Sequence, residues 1–142
     1  MNAKRIFITG GASGLARALA ERHGRAGYRV CIGDINKKRG AETLSALRGL
    51  SVEAHFIDCD VTSEKDLQAA AKWLQAEWGG VDIVVNNAGV AMAGGIDEQS
   101  LADWQWAVNI NCWAWCAVAR CSRLCSDARA VVISSTSRRW PG

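Results

Sequence analysis

The residues best suited to chemistry gather at the ends of short apolar runs. Ile6-Phe7-Ile8 leads into Thr9-Gly10-Gly11-Ala12-Ser13-Gly14-Leu15-Ala16, after which Leu15, Ala18 and Leu19 recur at helical spacing. A strand that ends in a glycine turn brings the backbone close to a ligand, and the following helix aims free N–H groups and its positive dipole end at a phosphate. Gly10, Ser13, Gly14 and Leu15 are therefore candidate binding residues. Asp34 ends the second apolar run, Arg29-Val30-Cys31-Ile32-Gly33, twenty residues after Gly14. A carboxylate there can accept both hydroxyls of an adenosine ribose and repels a 2′-phosphate, so the pattern points to NAD ahead of NADP. Ile35 follows it where NADP would favour a basic residue, although Lys37 and Lys38 are near. Asp60-Val61 closes the third run, where a carboxylate and a backbone N–H could address adenine; an Asp before Thr62-Ser63 equally suits the approach to a helix cap. Asn87-Ala88-Gly89 closes the fourth, with amides that can tie strand ends and small residues against which a ribose can lie.

Behind these residues the chain alternates two periodicities. Strands are predicted near 4–9, 29–33, 53–58, 82–86 and 130–134, and helices near 14–26, 38–48, 63–78 and 101–124. Gly27 marks the first helix stop, Ser63-Glu64-Lys65-Asp66 resembles a capping box, and Gly79-Gly80 stops the third helix. Apolar strands separated by amphipathic helices imply right-handed crossovers and a parallel sheet covered on both faces. The fold class is α/β, a Rossmann-like doubly wound sheet in one domain over residues 1–142.

Bulk composition removes several alternatives. The 142 residues are 49% hydrophobic and 22% charged, as expected of a globular domain that buries a core. A net charge of +3, with no basic stripe interleaved with aromatics, argues against nucleic acid. No apolar run nears the roughly 20 residues of a membrane span, and Met1-Asn2-Ala3-Lys4 does not read as a signal peptide. A cytoplasmic location is expected. Cys31 and Cys59 fall in strand-like stretches and read as buried small hydrophobes.

The motifs together resemble the short-chain dehydrogenase/reductase family over residues 4 to 111, and again at Val131-Val132-Ile133-Ser134-Ser135. The glycine motif matches from Thr9 to Ala16, with Ala16 where the family has its last glycine. The resemblance implies hydride transfer between a nicotinamide and a secondary alcohol or carbonyl. It also implies a Tyr proton carrier, a Lys four residues on, a Ser that orients the substrate oxygen and a helix Asn that supports a water-borne proton relay. Asp103 to Asn111 matches the segment carrying that Asn, with Asn111 the better candidate and Asn109 the weaker; Ser135 matches the Ser.

The implied Tyr would fall about a dozen residues beyond Ser135, but the sequence ends at Gly142 and its one tyrosine is Tyr28, with Ile32 four residues on. The chain is thus expected to be a truncated NAD-type dehydrogenase with about five strands, its sheet incomplete at the C-terminal side. It is expected to be inactive alone, since acid–base help is worth about 10²–10⁴ in rate. The uncovered sheet edge should promote self-association. A non-catalytic dinucleotide-binding fragment or partner subunit is the alternative, and a Cys-rich redox or metal-binding protein a weaker one.

Residues 112–130 form an atypical Cys/Trp-rich segment. Cys112, Cys116, Cys121 and Cys125 with Trp113 and Trp115 crowd 14 residues without a zinc-ribbon spacing, so no metal is expected. The segment reads either as an unusual apolar helix or as a reading-frame slip. Re-spacing the codons of Cys112 to Ala117 with one added C gives Leu-Leu-Gly whichever synonymous codons are used, and Leu-x-Gly is what the family shows after its helix Asn.

Overall fold

A computed structural model of the chain describes residues 3–124 and 131–134. Alternation along the strands sorts their side chains onto two faces. Ile6 and Ile8 of β1 (Arg5–Thr9), Val30 and Ile32 of β2 (Arg29–Asp34) and Val85 of β4 (Ile83–Asn86) pack with Ala16, Ala20 and Leu47. Those last three come from α1 (Gly14–Arg25) and α2 (Lys37–Gly49). Phe7, Cys31 and Val84 point the other way, onto Leu67 and Leu74 of α3 (Glu64–Trp78) and Val118 of α5 (Ala114–Leu124). With β3 (Ala54–Asp58) and β5 (Val131–Ser134), the five strands form one parallel sheet in the order β3-β2-β1-β4-β5. The doubly wound α/β reading thus holds, and each strand lies within a residue of its expected place.

Two expectations need correcting. The helix expected over 101–124 is interrupted: α4 (Leu101–Val108) passes into a π-helical turn, Asn109–Trp113, before α5 begins. At α3, the Ser63 hydroxyl does accept the Asp66 N–H, but Asp66 turns its carboxylate to the Asp60 N–H at 3.1 Å rather than back to Ser63. The reciprocal capping box lies at Ser100 and Asp103, at the start of α4. The glycine stops are as expected, Gly27 with φ 84° and Gly79 with φ 71°.

Cys31 and Cys59 are buried, at 0% and 2% exposure. Burial, aided by Asp66, Asp60 and Asp58, pushes the Cys59 thiol up to about 12, which keeps it protonated and unreactive. Cys112 and Cys116 are exposed and Cys121 is buried, while Cys125 lies outside the described residues. Among the described residues, no group of three or more His, Cys, Asp or Glu could hold a metal ion. Nor is any described helix long and apolar enough to cross a membrane.

Arg5 and Asp82 bind the sheet's N-terminal edge. The Arg5 guanidinium donates to both carboxylate oxygens, at 2.9 and 2.8 Å, and the Arg5 backbone N–H donates at 2.8 Å. These bonds, led by the guanidinium, hold the Asp82 carboxyl below the usual aspartate range. The charged form is therefore favoured more in the folded chain than in the unfolded one. Its stabilisation is fully present above the unfolded pKa of about 3.9 and is lost as pH falls through the depressed folded value. Asp82→Asn is expected to lower stability at pH 7 by about 1 kcal/mol, the pair being partly screened by solvent, and to flatten the acid limb of the stability curve. Urea titrations of both proteins between pH 2 and 7 read this directly.

Candidate functional site

The sheet's C-terminal edge opens into a cleft of about 380 Å³. Its lining includes Gly10, Ser13, Gly14, Leu15, Asp34, Asp60, Val61, Asn87, Ala88 and Gly89, the ten residues expected to hold a dinucleotide. Ile35, Cys59, Val90 and Ile110 line it as well. A signal for Ile35 existed in its place directly after Asp34, and it is 69% exposed for want of any protein neighbour to cover it. Nothing local marks Val90 or Ile110, which arrive from a loop and the π-turn.

The glycine loop is held from below. Gly11 N–H donates to the Gly33 carbonyl at 3.1 Å, and the buried Thr43 hydroxyl donates to the Ala12 carbonyl at 3.1 Å. Gly10 has φ 63°, and a Cβ there would stand 2.9 Å from the Cα of Ala88. Gly14 has φ 56°, but its missing Cβ would meet nothing within 4 Å, so the space above it is open to a ligand. Ser13 is the N-cap of α1 without using its side chain to cap, and the first turn carries no acidic residue. The N–H groups of that turn and the Ser13 hydroxyl are therefore available to an anion. Ala16, where the resembled family has glycine, is fully buried in the interface between helix and sheet.

Thr9 joins the two strand ends that flank the cleft. Its hydroxyl oxygen accepts the N–H groups of Asn87 and Ala88, at 3.1 and 3.2 Å, and donates to the Val85 carbonyl at 3.3 Å. The Asn87 amide donates back to the Thr9 and Gly10 carbonyls at 3.3 and 3.4 Å. Asp34 accepts the Ala12 N–H on one oxygen at 3.1 Å and the Asn36 N–H on the other at 2.9 Å, which fixes its carboxylate at the cleft wall. Asp60 is more engaged than its type suggested. One oxygen accepts the N–H and hydroxyl of Thr62, at 2.8 and 2.7 Å, and the Asp60 N–H is taken by Asp66. Much of Asp60 therefore shapes the turn into α3.

Asn111 sits on the π-turn with both ends of its amide on Val90: Oδ1 accepts the Val90 N–H at 3.0 Å and Nδ2 donates to the Val90 carbonyl at 2.9 Å. In this geometry its side chain clamps the loop after Gly89. Asn109 accepts from Gln105 at 2.9 Å, away from this clamp. Ser135 lies outside the described residues. Tyr28 precedes β2, at the edge of the sheet opposite the cleft, with its ring edge-on to His23 at 5.3 Å.

Known proteins share this architecture. The family model "short chain dehydrogenase" matches residues 4–139. D-threitol dehydrogenase of Mycolicibacterium smegmatis is 40% identical over 112 residues, 78% of this chain and 43% of the relative. The 2,5-dichloro-2,5-cyclohexadiene-1,4-diol dehydrogenase of Sphingobium indicum is 35% identical over 108 residues, 76% of this chain and 43% of the relative. This chain thus spans less than half the length of either curated relative. A short-chain dehydrogenase/reductase from Burkholderia phymatum, solved in complex with NAD, superposes with TM-score 0.88 at 28% identity, covering 94% of this chain and 48% of that one. An actinorhodin polyketide ketoreductase solved with NADPH superposes with TM-score 0.82 at 30% identity, covering 84% and 46%. With the family model matched from Lys4 through the glycine loop and beyond β5, the chain belongs to the short-chain dehydrogenase family.

Proposed function

We propose that the chain is the nucleotide-binding part of an NAD-preferring oxidoreductase acting on a secondary alcohol or carbonyl. The carrying observation is the cleft itself, in which an open helix N-terminus, a fixed carboxylate and the Thr9-tied strand ends meet. When bound, the dinucleotide supplies a nicotinamide that accepts or gives a hydride. The Ser13 hydroxyl and the first turn of α1 would hold the pyrophosphate, with Gly10, Gly14 and Leu15 shaping its bed. Asp34 would accept from the adenosine ribose. Ile35 and Val61 would cover the adenine, with the free oxygen of Asp60 at its rim. Ala88 and Gly89 would lie under the second ribose, held by Asn87 and by the Asn111 clamp on Val90. Asn111 acts in this reading as a positioning residue, and Ser135 would orient the substrate oxygen.

Calorimetric titration of the 142-residue chain with ADP-ribose tests the nucleotide reading, and absence of saturable binding would overturn it. Asp34→Ala is expected to weaken ADP-ribose binding about tenfold or more, because it removes a charge-assisted acceptor, and to relax discrimination against a 2′-phosphate. Turnover is expected to be nil for the chain alone, since Tyr28 stands at the wrong edge to carry a proton. Alcohol-dependent NADH formation by these 142 residues would contradict that. The alternative, a dinucleotide-binding subunit that borrows its acid–base pair, predicts turnover only when a partner chain is added.

The same proposal extends to a cytoplasmic location, read out by fractionation, and to self-association. Val131, Val132 and Ile133 on edge strand β5 are 58, 41 and 48% exposed, an apolar edge suited to pairing. Sedimentation should show oligomers, and a concentration-independent monomer would sink the idea. For residues 112–130 we keep the frame-slip reading, supported by the 65% exposure of Trp113 and the open thiols of Cys112 and Cys116. Codons that do not re-space into a Leu-x-Gly helix would refute it.

A further inference from the structure

The start of α2 places three basic residues in a row, the first of them paired with Asp58. Its first residues are Lys37, Lys38 and Arg39, its first turn holds no acidic residue, and its N-cap is Asn36. This positive end begins three residues after Asp34, beside the position of the adenosine ribose. Helix dipole and ammonium groups would together favour a phosphate there. In β2 and β3, however, Asp34 and Asp58 are register partners, so their side chains leave neighbouring strands about 4.8 Å apart on the same face of the sheet. Lys37 Nζ pairs with Asp58 Oδ2 at 2.8 Å. The Asp58 carboxylate accordingly raises the Lys37 pKa, through its hydrogen bond first and its charge second.

We propose that Asp58 is a second specificity-determining residue for the dinucleotide, excluding a 2′-phosphate by adding a negative charge beside Asp34 and by holding Lys37 away from it. The proposal rests on the reading of the cleft as a dinucleotide site. Asp34 repels the 2′-phosphate from within the cleft. Asp58 lies one strand further out and is not among the residues that line the cleft, so its effect is expected on ionic selectivity rather than on the ribose hydroxyls. An exposed ion pair contributes little to stability, so Asp58→Asn should leave folding intact. Its effect on a dianionic ligand is larger, since one repulsive charge disappears and one attractive charge is released together.

The test is calorimetric titration of the 142-residue chain with ADP-ribose and with 2′-phospho-ADP-ribose, at low and at physiological salt. The wild-type chain should favour ADP-ribose. D58N should tighten 2′-phospho-ADP-ribose about tenfold at low salt and leave ADP-ribose within about twofold, with the gain shrinking as salt rises. Adding K37A to D58N should remove about half of that gain on a logarithmic scale. A merely structural role for Asp58 would move both ligands together, and that result, or no change for either, overturns the proposal. A gain that survives K37A in full overturns the part assigned to Lys37. If the wild-type chain binds neither ligand, the dinucleotide reading itself falls and takes this inference with it. Binding of ADP-ribose with an unresponsive D58N removes the inference alone.

Discussion

Gly10→Ala is expected to abolish measurable ADP-ribose binding and to lower the unfolding free energy by about 2–5 kcal/mol. Two costs add at this position. The backbone at φ 63° is left-handed, where a Cβ costs about 1–2 kcal/mol. That Cβ would also stand 2.9 Å from the Ala88 Cα and 3.2 Å from both the Ala88 nitrogen and the Asn87 amide nitrogen. These neighbours cannot yield cheaply, because Asn87 and Ala88 are bonded to Thr9. Relieving the overlap means parting the loops that form the two walls of the cleft, at about 1–3 kcal/mol for such overpacking. Gly14→Ala provides the contrast. It shares the positive φ, yet its Cβ meets no protein atom within 4 Å, so only the conformational cost applies to folding. It should lose ADP-ribose affinity with about 1–2 kcal/mol of destabilisation. Urea denaturation and calorimetry on both variants separate the two effects. Normal binding by Gly10→Ala would mean that the cleft between these loops is not the nucleotide site.

Thr9→Val is expected to destabilise the chain by about 2–4 kcal/mol, although it preserves side-chain shape. Thr9 is 1% exposed, and its hydroxyl is the acceptor for two backbone N–H groups and the donor to one carbonyl. Valine removes that acceptor from the N–H groups of Asn87 and Ala88, and because both residues are only half-buried each loss falls in the lower part of the usual range of about 1–3 kcal/mol. Hydrogen exchange should accelerate at Asn87 and Ala88 in particular, and ADP-ribose affinity should fall as the β4 end loosens. Thr9→Ser keeps the hydroxyl and should cost about 1 kcal/mol, chiefly for the lost methyl. Equal stabilities for Thr9→Val and Thr9→Ser would show that the hydroxyl does not tie the strands.

Features encoded by residues a few positions apart were legible in the sequence. Gly27 and Gly79 end their helices with positive φ because only glycine adopts that conformation without cost. The continuous apolar run Ile6-Phe7-Ile8 placed β1, and similar short apolar runs placed its neighbours. Features made by distant partners were not. The break in the helix over 101–124 accompanies the contact of Asn111 with Val90, 21 residues earlier, and no local periodicity reports that. Ser63-Glu64-Lys65-Asp66 carries a capping pattern, yet Asp66 turns to Asp60 because the β3 end passes beside it. Asp60 itself was open between a ligand contact and a turn former, and most of its groups serve the turn.

The sequence by itself determined the class of fold, the position of the glycine loop and the residues that end the strands, because those depend on periodicity and on the conformations each residue type permits. Only the tertiary structure decided the strand order, and with it which residues share one cleft. It also decided which polar groups there are taken by distant partners: Asp34 by Ala12, Asn111 by Val90, Lys37 by Asp58. The reason is physical. A hydrogen bond or ion pair between residues 20 or more apart exists only once the sheet has set its strands about 4.8 Å from one another in a particular order and register.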